Sequence, residues 1–372
     1  MENVSHAEVA AFRLRRHHLT PRARPGALAQ VARDVCGVQA QLPAPAELAF
    51  RVRVAGLTRE QVRRALEQDR TLVRTWTVRN TVHVLTAEEF PVHIAAVRDA
   101  SLHRIHQWLG RSGLTPDRTK VIGDAAVEAL GDGPLTRRAL DSRLVEILGP
   151  RDDDLMRPWS LSAVRLAACD GRICFGPNRG QESTYVRADQ WLPDPEPLDP
   201  AEAQAALLRS YLRSYGPAVP ADFSHWSALP AKTAQAAFAR LRGELVEVAV
   251  DGQPAHLLSD DLESLRGAES ARDAVSLLGH FDVFLLGHKD KGHLIAQQHY
   301  KKVYQKAGWI NPVVLVGGRV AAVWSYRRSG RRLAATVEPF GKVSRKARTR
   351  IEHLIGDLAE FLSLDATVSY KE

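Results

Sequence analysis

No stretch of this 372-residue chain approaches the roughly 18 consecutive apolar residues that a membrane-spanning helix requires, which excludes a helical membrane protein. The opening residues, MENVSHAEVA, lack the basic-then-apolar layout of a secretion signal. Cysteine is scarce. Cys36, Cys169 and Cys174 are too few for a disulfide framework and lack the spacing of a four-ligand metal site, so a reducing, cytoplasmic setting is expected. The HExxH motif is absent, and His288, His293 and His299 do not have helical metal-ligand spacing; no zinc site is expected. Acidic residues are nearly missing from one region. Residues 280–350 hold fifteen Lys/Arg against three Asp/Glu, a net of +12, whereas residues 181–280 hold eight against fifteen, a net of −7. So uneven a distribution predicts a surface that meets a polyanion, of which nucleic acid is the usual one.

What the chain does have is a repeated grammar. Its composition, 45% hydrophobic and 25% charged, is ordinary for a globular protein, and its length predicts two to four packed units. Short helical segments followed by a hairpin occur three times. HAEVAAFRLRRHHL, ALAQVARDVCGV and LTREQVRRALEQ, the last with the capping-box pair Thr58 and Gln61, precede TLVRTWTVRNTVHVLT, a hairpin with its polar tip at Arg79-Asn80. RTKVIGDAAVEAL, LTRRALDSRLVEIL and PWSLSAVRLAACDG precede the hairpin RICFGPNRGQESTYVR. AEAQAALLRSYLRSYG, PADFSHWSAL and AKTAQAAFARLRGE precede LVEVAVDGQPAHLLS, where Asp251-Gly252 favours a tight turn. Helices followed by a hairpin make the winged-helix layout. After Ser276, FDVFLLG, PVVLVGG, RVAAVWSYRR and RRLAATVEPF alternate like strands, and a helix over SRKARTRIEHLIGDLAEFLSL leads to a short strand, ATVSY. The expected class is α+β: three tandem winged-helix units over 1–113, 114–198 and 199–275, then a small β-barrel or sheet module with one helix over 276–372. An asymmetric array of this kind predicts a monomer.

Within that frame the decapeptide CGVQAQLPAP stands out. Gln39 and Gln41 sit at i and i+2, positions that share one side of an extended chain. Pro43 and Pro45 bias Leu42 and Ala44 toward extended conformations, so the two carboxamides are expected to project together from a rigid, non-helical segment. The plain alternative is a polar loop joining two helices. In the next hairpin, alternation puts Arg74, Trp76 and Val78 on one face and Thr81 and His83 on another. Either Arg79 or His83 faces DNA or braces the glutamines, or the hairpin carries a cross-strand packing pair with solvated tips. GHKDKGHLIAQQHYKK gathers Lys289, Lys291, His299, Lys301 and Lys302 for contact with a DNA groove. Arg327, Arg328, Arg331 and Arg332 flank Ser329-Gly330 in a basic turn suited to phosphate. Phe223 and Trp226, three apart on a helix, read as core aromatics rather than a base-stacking pair.

VQAQLPAP, LVRTWTVRNTVHVL, GPAVPADFSHWSAL, FDVFLLGHKDKGHLI and VVLVGGRVAAVWS together resemble the AlkZ-like (YcaQ) family of winged-helix DNA glycosylases over nearly the whole chain. That family's short motif is glutamine, an aliphatic residue, then glutamine or aspartate. Gln39-Ala40-Gln41 is similar to the two-glutamine version of the crosslink-unhooking branch, with Ala40 small for the aliphatic place. The resemblance implies a C-shaped protein of three winged helices and a β-barrel-like module that grips double-stranded DNA in a basic channel. It implies catalysis by Gln39 and Gln41 and no metal or organic cofactor. The reaction it implies is cleavage of the N-glycosidic bond of N7-alkylated purines, interstrand crosslinks included, in DNA repair and in resistance to a crosslinking antibiotic such as azinomycin B.

Elementary chemistry makes so modest a pair of side chains sensible. Glycosidic hydrolysis ordinarily employs one carboxyl group as acid and another as base or nucleophile. A purine alkylated at N7 is already cationic, so its departure neutralises it and dispenses with an acid. What remains is to hold a water at the sugar and to stabilise an oxocarbenium ion, which oriented amide dipoles can do. A base tied covalently to the opposite strand cannot be rotated fully out of the stack, so an open site is expected around Gln39 rather than an enclosed cage. The main alternative is a non-enzymatic winged-helix DNA-binding transcription regulator that reads base edges from a helix such as TREQVRRALEQ.

Overall fold

The computed structural model describes residues 2–111, 113–149, 159–193, 197–268 and 270–371. Three times the chain packs short amphipathic helices against a small sheet. The strand β1 (Glu2–Val4) and the helix His6–Arg16 come first, but their partners come late in the sequence. Helices Leu28–Asp34, Pro43–Arg51 and Arg59–Glu67 then surround β2 (Val38–Gln39), β3 (Leu72–Trp76) and β4 (Val82–Thr86), in the order β2-β4-β3. Thr58 caps the third of these helices, its hydroxyl accepting from the Gln61 amide while the Gln61 side chain accepts from the Thr58 amide at 2.9 Å. The same arrangement recurs. Helices Pro116–Ala129, Arg137–Leu148 and Trp159–Cys169 accompany β5 (Leu135–Thr136), β6 (Ile173–Phe175) and β7 (Thr184–Arg187), in the order β5-β7-β6.

In the third group, helices Pro200–Tyr215, Pro220–Ser227 and Ala231–Arg240 precede β8 (Leu245–Val250) and β9 (Gln253–Leu258). Asp251 (φ 45°) and Gly252 (φ 81°) close that hairpin in the left-handed region that a two-residue turn demands. Its third strand is β1, parallel to β8, and Val4, Val9 and Phe12 share a core with Val248, Leu257 and Leu265. The first helix read from the sequence therefore packs on the third hairpin. Helix Phe90–Gly110 is the spine between groups. Ala96 and Val97 pack into the aromatic core of Tyr211, Phe223 and Trp226, whereas Ile105 and Leu109 join the core of the first two sheets. Phe223 and Trp226, 0% and 2% exposed, are core residues, as their spacing indicated.

The last module corrects two expectations. FDVFLLG is not a strand: Val283–Leu285 is a 3₁₀ turn capped by the Asp282 carboxylate, which accepts from the Phe284 amide at 3.0 Å. The strand is instead β10 (Val275–Leu278), just before it. Nor is there a closed barrel among the described residues. β10, β11 (Val313–Val316), β12 (Arg319–Ser329), β13 (Arg332–Pro339) and β14 (Asp365–Tyr370) form an open sheet in chain order, with β10 and β14 at its edges. Closure is unnecessary because helix Arg345–Phe361 crosses between β13 and β14 and covers the apolar face, burying Ile351, Ile355 and Leu358 against the core of Leu277, Val314 and Val337. Asp282 anchors this module to the first group through a bidentate ion pair with Arg53 at 2.6 and 2.8 Å, both side chains 0% exposed. Among the described residues no helix is long and apolar enough to cross a membrane.

Candidate active site

The two glutamines lie where the first helix of their group gives way to an edge strand. Val38 and Gln39 pair with β4, Gln39 standing opposite His83, and the Ala40 amide continues the ladder to the Val82 carbonyl at 2.7 Å. Leu42 is extended (φ −115°, ψ 128°), as its proline neighbour requires. Ala44 is not: Pro43 and Pro45 occupy the first turn of helix Pro43–Arg51, where amide donors have no intrahelical partner and proline costs nothing. Strand pairing thus ends at Ala40, and the chain bends at Gln41 and Leu42 before the helix begins. Gln39 is half-buried and Gln41 exposed, on open surface.

Each carboxamide oxygen has one protein donor and keeps a second lone pair. Gln41 Oε1 accepts from the Val82 amide at 3.2 Å, a side chain extending the strand pairing where the backbone turns away. Gln39 Oε1 accepts from Arg79 Nη2 at 2.9 Å. The same Nη2 donates to His83 Nε2 at 3.2 Å, while Arg79 Nη1 donates to the Trp226 carbonyl at 2.6 Å. His83 Nδ1 in turn donates to the Thr81 carbonyl at 3.0 Å, leaving Nε2 bare to accept from Arg79. Burial first, and the Arg79 charge second, push the His83 pKa well below its usual range, so the imidazole is neutral near pH 7 and is no proton donor to a leaving group. Burial also pulls Arg79 down to about 10, which leaves it cationic at neutral pH. Arg79 is therefore not a solvated tip; its guanidinium fixes which way the Gln39 amide faces.

That position takes unusual backbone to reach. Arg79 and Asn80 have φ of 58° and 53°, a left-handed pair that turns the hairpin tip back over the glutamines. Asn80 is held there from outside its own sheet. Its Oδ1 accepts from Arg104 Nη2 at 3.2 Å and its carbonyl from Arg165 Nη2 at 2.9 Å. Arg104 Nη1 also donates to the Ala228 carbonyl at 2.6 Å, so Arg79 and Arg104 both cap the end of helix Pro220–Ser227, where free carbonyls favour cations. Asn80 sits beside Arg79 in the sequence, but Arg104, Arg165 and the Trp226 carbonyl carried no local signal. Leu42, beside Gln41, is 40% exposed, which its sequence neighbours do not reveal. The opposite face of the hairpin packs on the second one, with Trp76 stacked on Phe175 at 4.7 Å between centroids and Arg74 over the same ring at 3.8 Å.

Of the basic residues singled out, one loop is near this site. Lys289 is exposed, and its backbone amide is held by Asp222 Oδ1 at 2.9 Å. Lys291 is 7% exposed, donates to the His288 carbonyl and lies over the Tyr304 ring. Burial, then the charge of Arg79, lowers its pKa to about 8. Lys291 thus braces the loop rather than offering a free ammonium. His299 stacks on Phe340 at 4.3 Å, Lys302 pairs with Glu338 at 2.6 Å, and Lys301 is exposed. Residues 325–332, with Arg327 and Arg328, are exposed throughout the β12–β13 turn. Lys301, Lys302, Arg327 and Arg328 share no hydrogen bond with the glutamine site. Among the described residues no group of three or more His, Cys, Asp or Glu is placed to hold a metal ion.

An α+β chain of repeated helix–hairpin groups carrying neutral amides on an open edge beside a cationic loop fits a nucleic-acid enzyme, and comparison with known proteins gives its family. The chain belongs to the AlkZ-like DNA glycosylase family, whose model matches residues 32–361. It is 34% identical over 329 residues to the interstrand DNA cross-link repair glycosylase of Streptomyces sahachiroi, an alignment covering 86% of this chain and 88% of that one. The solved structure of the S. sahachiroi DNA glycosylase AlkZ superposes with a TM-score of 0.86 at 31% identity, over 99% of this chain and 100% of the other.

Proposed function

We propose that this protein is a monofunctional DNA glycosylase that hydrolyses the N-glycosidic bond of N7-alkylated purines in double-stranded DNA and unhooks interstrand crosslinks; the name of its S. sahachiroi relative, an interstrand DNA cross-link repair glycosylase, supports the crosslink part of that reading. The helix–hairpin groups act as winged-helix modules on the duplex, and the chain works as a monomer. Gln39 and Gln41 are the catalytic pair. The observation that carries the reading is the fixed Gln39 amide, clamped by Arg79 at 2.9 Å on a strand whose next-but-one residue, Gln41, is exposed. The remaining lone pairs of the two carbonyls hold one water against C1′ and turn negative dipole toward the sugar as the cationic base leaves. Arg79 and neutral His83 position Gln39. Lys289, His299, Lys301, Lys302, Arg327 and Arg328 meet phosphates, with Lys291 bracing its loop. Leu42, one residue beyond Gln41, presses between base steps at the lesion.

The test is base release from a duplex carrying one 7-methylguanine, or one interstrand crosslink, followed by heat and alkali to convert abasic sites to strand breaks. Gln39→Ala and Gln41→Ala are each expected to slow release about 100–1,000-fold, the cost of removing an oriented dipole from a transition state, with DNA affinity retained. Parental rates in both variants would refute the catalytic assignment. No strand breaks with the parent protein would leave a regulator as the better reading.

A further inference from the structure

Two guanidiniums from distant helices converge on Asn80 at the hairpin tip, and neither has a carboxylate partner among the described residues. Arg104, on helix Phe90–Gly110, donates to the Asn80 and Ser101 side chains and to the Ala228 carbonyl. Arg165, on helix Trp159–Cys169, donates to the Asn80 carbonyl. Every one of these acceptors is neutral. Other arginines of the same region are compensated: Arg98 pairs with Asp170, Arg172 with Asp124 and Arg63 with Glu60. Like charges brought to a single asparagine repel, and no acid of the described chain offsets them.

Both side chains are half-buried and keep a donor in hand. Arg104 Nε and Arg165 Nη1 have no acceptor among the described residues, and neither atom is shut off from solvent, in contrast to Arg165 Nε. The surface running on from Arg104 carries no acid, because residues 100–116 contain no Asp or Glu. Helix Trp159–Cys169 contains none either. One turn beyond Arg104, on the same face, Trp108 is 52% exposed, the most of any large apolar side chain among the described residues. Ile105 and Leu109 are buried beside it, so this is the outer face of a packed helix and not a frayed end. Arginine with an exposed aromatic is the composition of an interface, and the missing acids fit a partner that is itself anionic.

We propose that Arg104, Arg165 and Trp108 form a contact with the backbone of duplex DNA beside the hairpin tip. Arg104 and Arg165 meet a phosphate next to Asn80 through their free N–H groups, and the Trp108 indole lies against the deoxyribose edge beyond it. The spacing suits a duplex. Asn80 adjoins Arg79, which holds Gln39 at 2.9 Å, so the gripped phosphate is within a few nucleotides of the lesion. One helical turn of about 5.4 Å separates Arg104 from Trp108, against a rise of about 3.4 Å per nucleotide of a strand. The contact deepens the proposed function and rests on the duplex meeting the glutamine edge. It puts part of the DNA grip on the spine helix and the second group, outside the basic C-terminal third.

The experiment is fluorescence anisotropy of a lesion-free duplex with the full-length protein over a range of salt, alongside the double variant Arg104→Gln, Arg165→Gln and the single variants Trp108→Ala and Trp108→Phe. Thermal melting checks that each variant is folded. The double variant is expected to lower the slope of log Kobs against log salt by about 0.9, one phosphate contact. Trp108→Ala is expected to weaken binding about tenfold with the slope unchanged, and Trp108→Phe to keep most of the affinity. An unchanged slope in the folded double variant, or parental affinity in Trp108→Ala, would overturn the proposal. Should the double variant fail to fold, the exposed Trp108 pair decides the matter. Base release by the parent is measured alongside on a duplex with one 7-methylguanine. Absence of strand breaks there would refute the glycosylase reading alone, since the lesion-free duplex reads this contact without any chemistry.

Discussion

Replacing Arg79 by lysine isolates what the guanidinium does, because the charge stays and the fork goes. One arginine here reaches Gln39 Oε1, His83 Nε2 and the Trp226 carbonyl, at 2.9, 3.2 and 2.6 Å. Those acceptors belong to β2, β4 and the end of helix Pro220–Ser227, and an ammonium on one tether cannot span them. His83 and Trp226 are each 2% exposed, and a buried acceptor left without a donor costs about 1–3 kcal/mol. Lysine can serve one of the two, so the expected stability loss is about 1–3 kcal/mol. The catalytic effect follows from freeing Gln39. Two three-fold torsions and one broad two-fold torsion give about 18 arrangements, of which one is productive, so base release should fall about 10- to 20-fold. The assay is single-turnover release of 7-methylguanine at saturating enzyme, with affinity measured separately by fluorescence anisotropy and stability by urea melting. Parental release by Arg79→Lys beside a dead Gln39→Ala would refute the positioning argument. So would a defect confined to DNA affinity.

Leu42→Ala should slow release from an intact duplex more than from a single strand carrying the same lesion, since only the duplex has a stack to part; equal slowing on both substrates would deny it that role. Exchanging Arg327 and Arg328 together for serine should reduce the slope of log Kobs against log salt by about 1.8, at about 0.9 per phosphate contact, and an unchanged slope would place the DNA elsewhere. Asp282→Asn should cost about 3–5 kcal/mol by stranding buried Arg53, with much of the loss recovered in the double change Arg53→Met, Asp282→Leu, as urea melting would measure. Burial holds His93 down at about pKa 4, against about 6.5 when unfolded, so its contribution is full above pH 6.5 and is lost as pH falls toward 4, at up to about 1.4 kcal/mol per pH unit. Stability measured at pH 7, 6, 5 and 4.5 should therefore fall less steeply in His93→Phe, by about one proton's worth of slope; parallel curves would count against it.

Much of this molecule is written in short-range chemistry. The capping pair Thr58 and Gln61, the Asp251-Gly252 turn and the alternation in β12 and β13 each concern neighbours along the chain, so they could be read without knowing what packs against them. The prolines after the glutamines misled in one respect. Pro43 and Pro45 are as acceptable in a helix's first turn as in an extended strand, and only the helix beyond them distinguishes the two. FDVFLLG failed for a similar reason, because Asp282 is committed to a cap and to Arg53, a partner 229 residues away.

By itself the sequence determined that this chain is α+β and that helices and hairpins alternate three times, but not how far the segment carrying the two amides stays extended, since the chain bends at Gln41 and Leu42. Tertiary structure decided what holds those amides. Arg79 lies four residues beyond Thr75, the cross-strand partner of His83, in the turn between the two strands; it reaches Gln39 because Arg104 and Arg165 pin Asn80 and a helix end from another group receives Arg79 and Arg104. Hydrogen bonds of that kind depend on distances between elements far apart in the chain, and no local pattern records them.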